Sequence, residues 1–160
     1  MSEPYEEVFA GEVTLRLPPD RRHEVICARL HAVVQAIVGG IASTRLLPPR
    51  TVVELARGTR LCPDLALVTA ATHKLWLAAE IICSGDHHSD TVIKKELYEA
   101  AKVPRLWLID PRYGNVEVYH TTPYGLALKR MLAGRDLLGE ELLPGFTLVV
   151  AELFAPEVTP

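Results

Sequence analysis

The chain has 160 residues, 49% of them hydrophobic, enough to bury one core, and a single domain over residues 1–160 is expected. A net charge of −3 excludes a globally basic surface, so any attraction to nucleic acid has to be local. Three cysteines, Cys27, Cys62 and Cys83, leave an odd thiol, lack metal-type spacing and suit a reduced cytoplasm.

Near the N terminus stand Glu3, Glu6 and Glu7, with no basic stretch leading into an apolar run. The expectation is therefore a cytoplasmic protein without a signal peptide. No apolar run approaches the length of a membrane span. Glu12 to Leu17 alternates Val13 and Leu15 with Thr14 and Arg16, the pattern of a strand that buries its apolar face. Asp20 is placed to cap a helix that runs to Gly39-Gly40. Ile26, Leu30, Val33, Val34 and Ile37 form one stripe on it.

Thr51 to Leu55 reads as a strand. Leu65 to Val68 and Lys74 to Cys83 read as a hairpin turning at Ala71-Thr72-His73. Folding about Thr72 places Asp64 opposite Glu80, and opposed residues of an antiparallel pair share a face. Two carboxylates then project together over an apolar floor of Leu67, Val68, Ala79, Ile81 and Ile82. Such a pair suits a hard, oxygen-seeking cation such as Mg²⁺ or Mn²⁺. Mutual repulsion should raise the pKa of at least one of them unless a nearby cation offsets it. Glu80 interrupts an apolar strand, where a carboxylate is costly unless it is paired.

After a polar loop, Ser89 or Asp90 can cap a second helix ending before Val103-Pro104. Ile93, Leu97, Ala100 and Ala101 form its expected buried stripe. Lys94 lies at the stripe's edge and shares a flank with Tyr98, while Lys95 points to solvent. Leu106 to Ile109 is a continuous apolar run, the mark of a strand buried on both faces and parallel to its predecessor. Tyr113-Gly114-Asn115 turns the chain into a strand at Val116–His120. The elements add up to a mixed α/β (α+β) fold, a mixed β-sheet flanked by a few helices.

His87-His88, Ser84-Gly85-Asp86 and Gly39-Gly40 carry no complete metal, nucleophile or phosphate-loop pattern. The basic groups Arg45 with Arg50, Arg57 with Arg60, and Lys94, Lys95, Lys102 and Arg105 read first as solvated faces. Trp76, Trp107 and Tyr119 read as core.

Pro63-Asp64, then Glu80, then a lysine resembles the PD-(D/E)XK nucleases of the restriction-endonuclease-like fold. Within them the chain resembles the Uma family of endonucleases. The likeness is carried by Gly11-Glu12-Val13, His23 at the head of the first helix, Pro63 to Val68 and Ala79 to Ser84. Asp90, Lys94, Tyr98, Val103-Pro104, Trp107 to Pro111, Val116 to Tyr119, Leu143 to Phe146 and Ala151 to Phe154 continue it. The superfamily's usual lysine position, two residues after the acidic strand residue, holds Ile82, and the Uma-type helix lysine maps onto Lys94. Ser84-Gly85-Asp86 stands where the family often has Ser-Pro-Ser.

The resemblance implies Mg²⁺-dependent hydrolysis of DNA phosphodiesters, with Mn²⁺ as a substitute. Asp64 and Glu80 would hold the metal and Lys94 would position the attacking water. Glu12, His23, Glu24 and Tyr98 are possible accessory residues. It also implies a homodimer, for which the apolar run Leu148-Val149-Val150 with Leu153-Phe154 is a candidate surface. Two alternatives stay open: a nuclease-fold binding domain without catalysis, favoured by the acidic charge balance, and an accessory subunit whose partner reads DNA.

Overall fold

In the computed structural model the described residues are 3–83 and 89–158. Its main layer is a six-stranded mixed sheet, ordered β10-β9-β8-β7-β6-β3. These strands span Thr44–Leu46 (β3), Leu65–Thr69 (β6), Leu75–Ile81 (β7), Arg105–Asp110 (β8), Asn115–Thr122 (β9) and Gly125–Ala133 (β10). Only β7 and β8 run parallel, joined by the crossover that contains helix α2, Lys94–Ala100. A second antiparallel sheet holds β1 (Tyr5–Phe9), β2 (Glu12–Arg16), β4 (Val53–Ala56) and β5 (Thr59–Leu61), in the order β2-β1-β5-β4. A small pair, β11 (Leu137–Gly139) with β12 (Thr147–Val149), and a short helix α3 (Val150–Phe154) close the chain.

Helix α1 covers Arg21–Val38 and starts as its sequence dictates. The Asp20 carboxylate accepts the His23 backbone N–H at 2.8 Å, satisfying a donor that the helix itself leaves unpaired. Its stripe of Ile26, Leu30 and Val34 joins Leu65, Leu67, Leu77, Ala79, Ile81, Trp107 and Ile109 in one buried cluster. Each large side chain buried there contributes roughly 1.5–3 kcal/mol. The other sheet face holds Ala66, Val68, Ala78, Leu106 and Leu108 with Tyr98 and Val103. Leu106 to Ile109 is accordingly buried on both faces.

The β6–β7 hairpin keeps the expected register, with Leu65 opposite Ala79 and Leu67 opposite Leu77. An irregularity between Leu67 and Val68 then shifts the pairing, so that Val68 faces Leu75. The pairing ends at Leu65 and Ala79, one residue short of Asp64 and Glu80. The predicted apolar floor is corrected, however. Leu67, Ala79 and Ile81 belong to the α1 side of the sheet, whereas Ala66 and Ala78, one pleat from the carboxylates, belong to the α2 side.

Three further expectations are corrected. Strand β2 is present but faces the other way: Val13 and Leu15 are 60% and 65% exposed, while Arg16 is buried. The reason is an ion pair, Arg16 Nε donating to Glu7 Oε1 at 2.8 Å, that holds the polar face inward. On α2 the deep residues are Lys94 and Tyr98. Leu97 and Ala101 are only partly covered and Ala100 is exposed. Nor is the apolar C-terminal run a free surface, since Leu148, Val150 and Leu153 are buried in the chain's own core. Strands β1 and β3 lie outside the sequence reading altogether. The loop with Ser84-Gly85-Asp86 and His87-His88 lies outside the described residues, as do the side chains proposed to cap the second helix.

Candidate active site

Five elements converge where the two sheets meet. The chain leaves β5, passes through Cys62-Pro63-Asp64 and enters β6, so Asp64 sits at the junction. Glu80 comes from the inner strand β7, Lys94 and Tyr98 from α2, His23 and Glu24 from the first turn of α1, and Glu7 from β1.

Glu80 is 2% exposed and both its oxygens are engaged. Lys94 Nζ donates to Oε2 at 3.1 Å, and the Tyr98 hydroxyl donates to Oε1 at 2.6 Å. Lys94, itself 2% exposed, also meets Glu7 Oε1 at 3.0 Å. Glu7 in turn accepts from Arg16 and, through Oε2, from the Cys62 backbone N–H at 2.8 Å. A buried lysine is tolerable only with such anionic partners. Burial and the Glu80 charge raise the Tyr98 pKa well above the usual range, so its hydroxyl stays a donor.

Asp64 has a different circle. Its Oδ2 accepts the Ile81 N–H at 2.8 Å, and its Oδ1 faces His23 Nε2 at 3.2 Å and an Arg50 guanidinium nitrogen at 3.3 Å. Arg50 also donates to Glu24 Oε2 at 3.0 Å and lies at ion-pair distance, 3.0 Å, from Oε1. Burial would raise the Asp64 pKa, but the His23 hydrogen bond and charge and the Ile81 N–H outweigh it, and the pKa is lowered. The repulsion expected from the sequence is thus overcome by cations already in place. For His23, burial opposes the charged ring, but hydrogen bonds and charges from Asp64 and Cys83 dominate and push its pKa up to about 11.

These shifts set a stability window. A raised histidine pKa contributes stability that is complete below its usual value of about 6.5 and is lost as pH rises toward about 11. A lowered aspartate pKa contributes stability present above about 3.9 and lost as pH falls through the depressed value. The urea midpoint should therefore fall between pH 6 and pH 9, and His23→Gln should flatten that fall. An equal fall in both proteins would contradict the His23–Asp64 pairing.

Of the residues singled out from sequence, Asp64, Glu80, Lys94, Tyr98, His23 and Glu24 lie in this connected cluster. Glu12 does not: it is exposed at the start of β2 opposite Phe9, and the carboxylate that this hairpin delivers inward is Glu7. Arg50, read as a solvated basic residue, is a member. Lys95 is partly covered and lies 4.6 Å over the Tyr119 ring instead of standing free in water. Tyr5 adjoins the cluster as well, its pKa raised by burial and by the Asp64, Glu80 and Glu7 charges.

Among the described residues no three of His, Cys, Asp and Glu are grouped as ligands of one ion. The donor chemistry nevertheless fits Mg²⁺, which is commonly held by one or two carboxylates with water and phosphate oxygens completing the shell. Asp64 and Glu80 offer oxygens only, Glu80 from β7 and Asp64 from the residue that precedes β6. Their oxygens are engaged by the chain's own cations, so a metal has to compete for them.

The family model described as Uma2, "Putative restriction endonuclease", matches residues 2–151. The chain belongs to that family. A crystal structure of a "putative nuclease belonging to DUF820" from Anabaena variabilis has the same fold, with a TM-score of 0.78 at 15% identity. The likeness covers 96% of this chain and 91% of that one. No curated protein matches the sequence. The Uma-family resemblance is thereby shown, as is the restriction-endonuclease-like mixed α/β fold.

Proposed function

We propose that this Uma2-family domain, a single unit over residues 1–160, is a metal-dependent endonuclease that hydrolyses DNA phosphodiester bonds in the cytoplasm. The observation that carries the reading is Lys94, a helix lysine buried to 2% exposure and bonded at 3.1 Å to the strand carboxylate Glu80. Nothing in ordinary packing calls for an ammonium at that depth.

Asp64 and Glu80 would hold Mg²⁺, with Mn²⁺ as a substitute. When bound, the metal supplies charge stabilisation at the phosphate and lowers the pKa of water. Tyr98 fixes the Glu80 carboxylate through its hydroxyl, and the Ile81 N–H fixes Asp64. Lys94 stands beside Glu80 as a positive group able to orient water or offset charge developing on the phosphate. Glu7, 3.0 Å from the same nitrogen, holds that group in place. His23 and Arg50 hold positive charge on the Asp64 side of the cluster. The test is cleavage of single-stranded, duplex and branched DNA by the purified chain with Mg²⁺ or Mn²⁺ and with EDTA. DNA binding without cleavage under either metal would replace this reading with the non-catalytic binding domain.

The proposal includes a homodimer. With the C-terminal run buried, the surface that supports it is the outward face of edge strand β2, where Val13 and Leu15 are exposed, continued by exposed Leu17 just past the strand. Leu15→Glu should shift the mass measured by light scattering from dimer to monomer. A wild-type monomer at all concentrations would contradict the assembly. No helix among the described residues is long and apolar enough to cross a membrane.

A further inference from the structure

Arg50 combines two observations that a solvated surface residue would not. Its backbone is in the left-handed region, φ 58°, which a bulky residue rarely adopts. It occupies the third position of the turn Pro48-Pro49-Arg50-Thr51, closed by Thr51 N–H to Pro48 O at 3.2 Å. Proline second and positive φ third is the type II pattern, where glycine or asparagine is the ordinary choice. The arginine N–H is meanwhile tied to Pro63 O at 2.9 Å, directly beside Asp64. The backbone is thus held in an unfavourable conformation that sets this side chain against the candidate site.

The guanidinium is also the most accessible positive group of the cluster. Its side chain is 17% exposed, against 2% for Lys94 and 4% for His23 and for Arg16. Lys94 and Arg16 are locked by buried carboxylates, whereas Arg50 rests on Glu24, which is one-third exposed. Glu24 lines an open cavity of about 580 Å³ together with Arg21 and Arg29. The same cavity is lined by Glu157, which pairs with Arg21 at 2.7 Å, so its two arginines are matched by two carboxylates.

Resting on the nuclease reading above, we propose that Arg50 is a displaceable counter-ion of Asp64. Its guanidinium neutralises Asp64 while no metal is held, gives up that carboxylate when a divalent cation binds, and then takes a phosphate oxygen of the DNA. The tie from its N–H to Pro63 O keeps it beside the site throughout. Arginine suits this exchange because its planar fork pairs equally well with carboxylate and phosphate oxygens.

The test compares wild type with Arg50→Asn, which tolerates positive φ and so keeps the turn, and with Arg50→Lys, which keeps the charge. Mn²⁺ binding is followed by the paramagnetic resonance signal of free Mn²⁺, and duplex binding by anisotropy of a labelled DNA in Ca²⁺. Removing a competing unit charge should tighten Mn²⁺ binding by Arg50→Asn roughly tenfold. The same variant should bind duplex at least about threefold more weakly, and Arg50→Lys should stay near wild type for Mn²⁺. A structural role alone would not move the two affinities in opposite directions. If wild type binds Mn²⁺ and Asp64→Asn abolishes that binding, yet Arg50→Asn binds no more tightly, the counter-ion role is overturned and the nuclease reading stands. Tighter Mn²⁺ with unchanged DNA affinity overturns the phosphate half. If wild type binds no Mn²⁺ through Asp64, both fall.

Discussion

Asp64→Asn and Glu80→Gln should each eliminate metal-dependent DNA cleavage, a loss of at least about 100-fold, while the two variants differ in stability. The isosteric amides keep shape and remove charge. At Asp64 the amide takes the carboxylate from buried His23, while Arg50 keeps Glu24, so stability should fall by about 1–3 kcal/mol, the cost of weakening a buried charged contact. Crowding of two carboxylates, read from the sequence, pointed toward relief on removing one. The lowered Asp64 pKa reverses that sign, because the cations around it already exceed the repulsion. Circular dichroism at pH 6 would establish that each variant is folded before the cleavage assay. Retained cleavage by either folded variant would remove its residue from the site.

The second large effect is at Lys94. Lys94→Met should lose about 3–5 kcal/mol, because Glu80 and Glu7 are left in a buried site without their shared ammonium. For a chain of this length that is a fall of roughly 6–20 °C in melting temperature. The deficit should narrow as pH is lowered, since protonation relieves the stranded carboxylates in the variant. Lys95→Met is the matched control: it forfeits a contact over the Tyr119 ring worth about 0.5–1 kcal/mol and should leave cleavage intact. Equal damage from both substitutions would contradict the placement of Lys94 at the centre of the cluster.

Local chemistry made much of this legible from sequence. Asp20 as a cap, the Leu65–Ala79 register and the inward reach of Lys94 depend on neighbours in the chain, and each is where its spacing puts it. What escaped depends on pairing across distance. Glu7 is an ordinary exposed glutamate until β1 folds against β2, with the two-residue turn Ala10-Gly11 setting Tyr5 opposite Arg16. Only then do Glu7 and Arg16 share a face, and only then does the alternation of Val13 and Leu15 point outward. Extending the hairpin argument used for Asp64 and Glu80 to residues 5–16 would have found it. On α2, an apolar-stripe rule favoured Leu97 and Ala100 over Lys94 and Tyr98, because it has no knowledge of Glu80 and Glu7 waiting across the sheet. Arg50 carried one overlooked signal, a proline pair followed by a residue other than glycine at the positive-φ position of a turn.

The central claim is that Asp64 and Glu80 together hold a divalent cation in spite of the protein cations around them. Crystals soaked in Mn²⁺, with anomalous data collected at the manganese edge, test it most directly. The expected result is one strong peak about 2.1 Å from a carboxylate oxygen of each residue, with the Arg50 guanidinium moved off Asp64 and Lys94 still on Glu80. A fully soaked crystal with no peak between Asp64 and Glu80, their oxygens still bound to His23, Arg50, Lys94 and Tyr98, would contradict it.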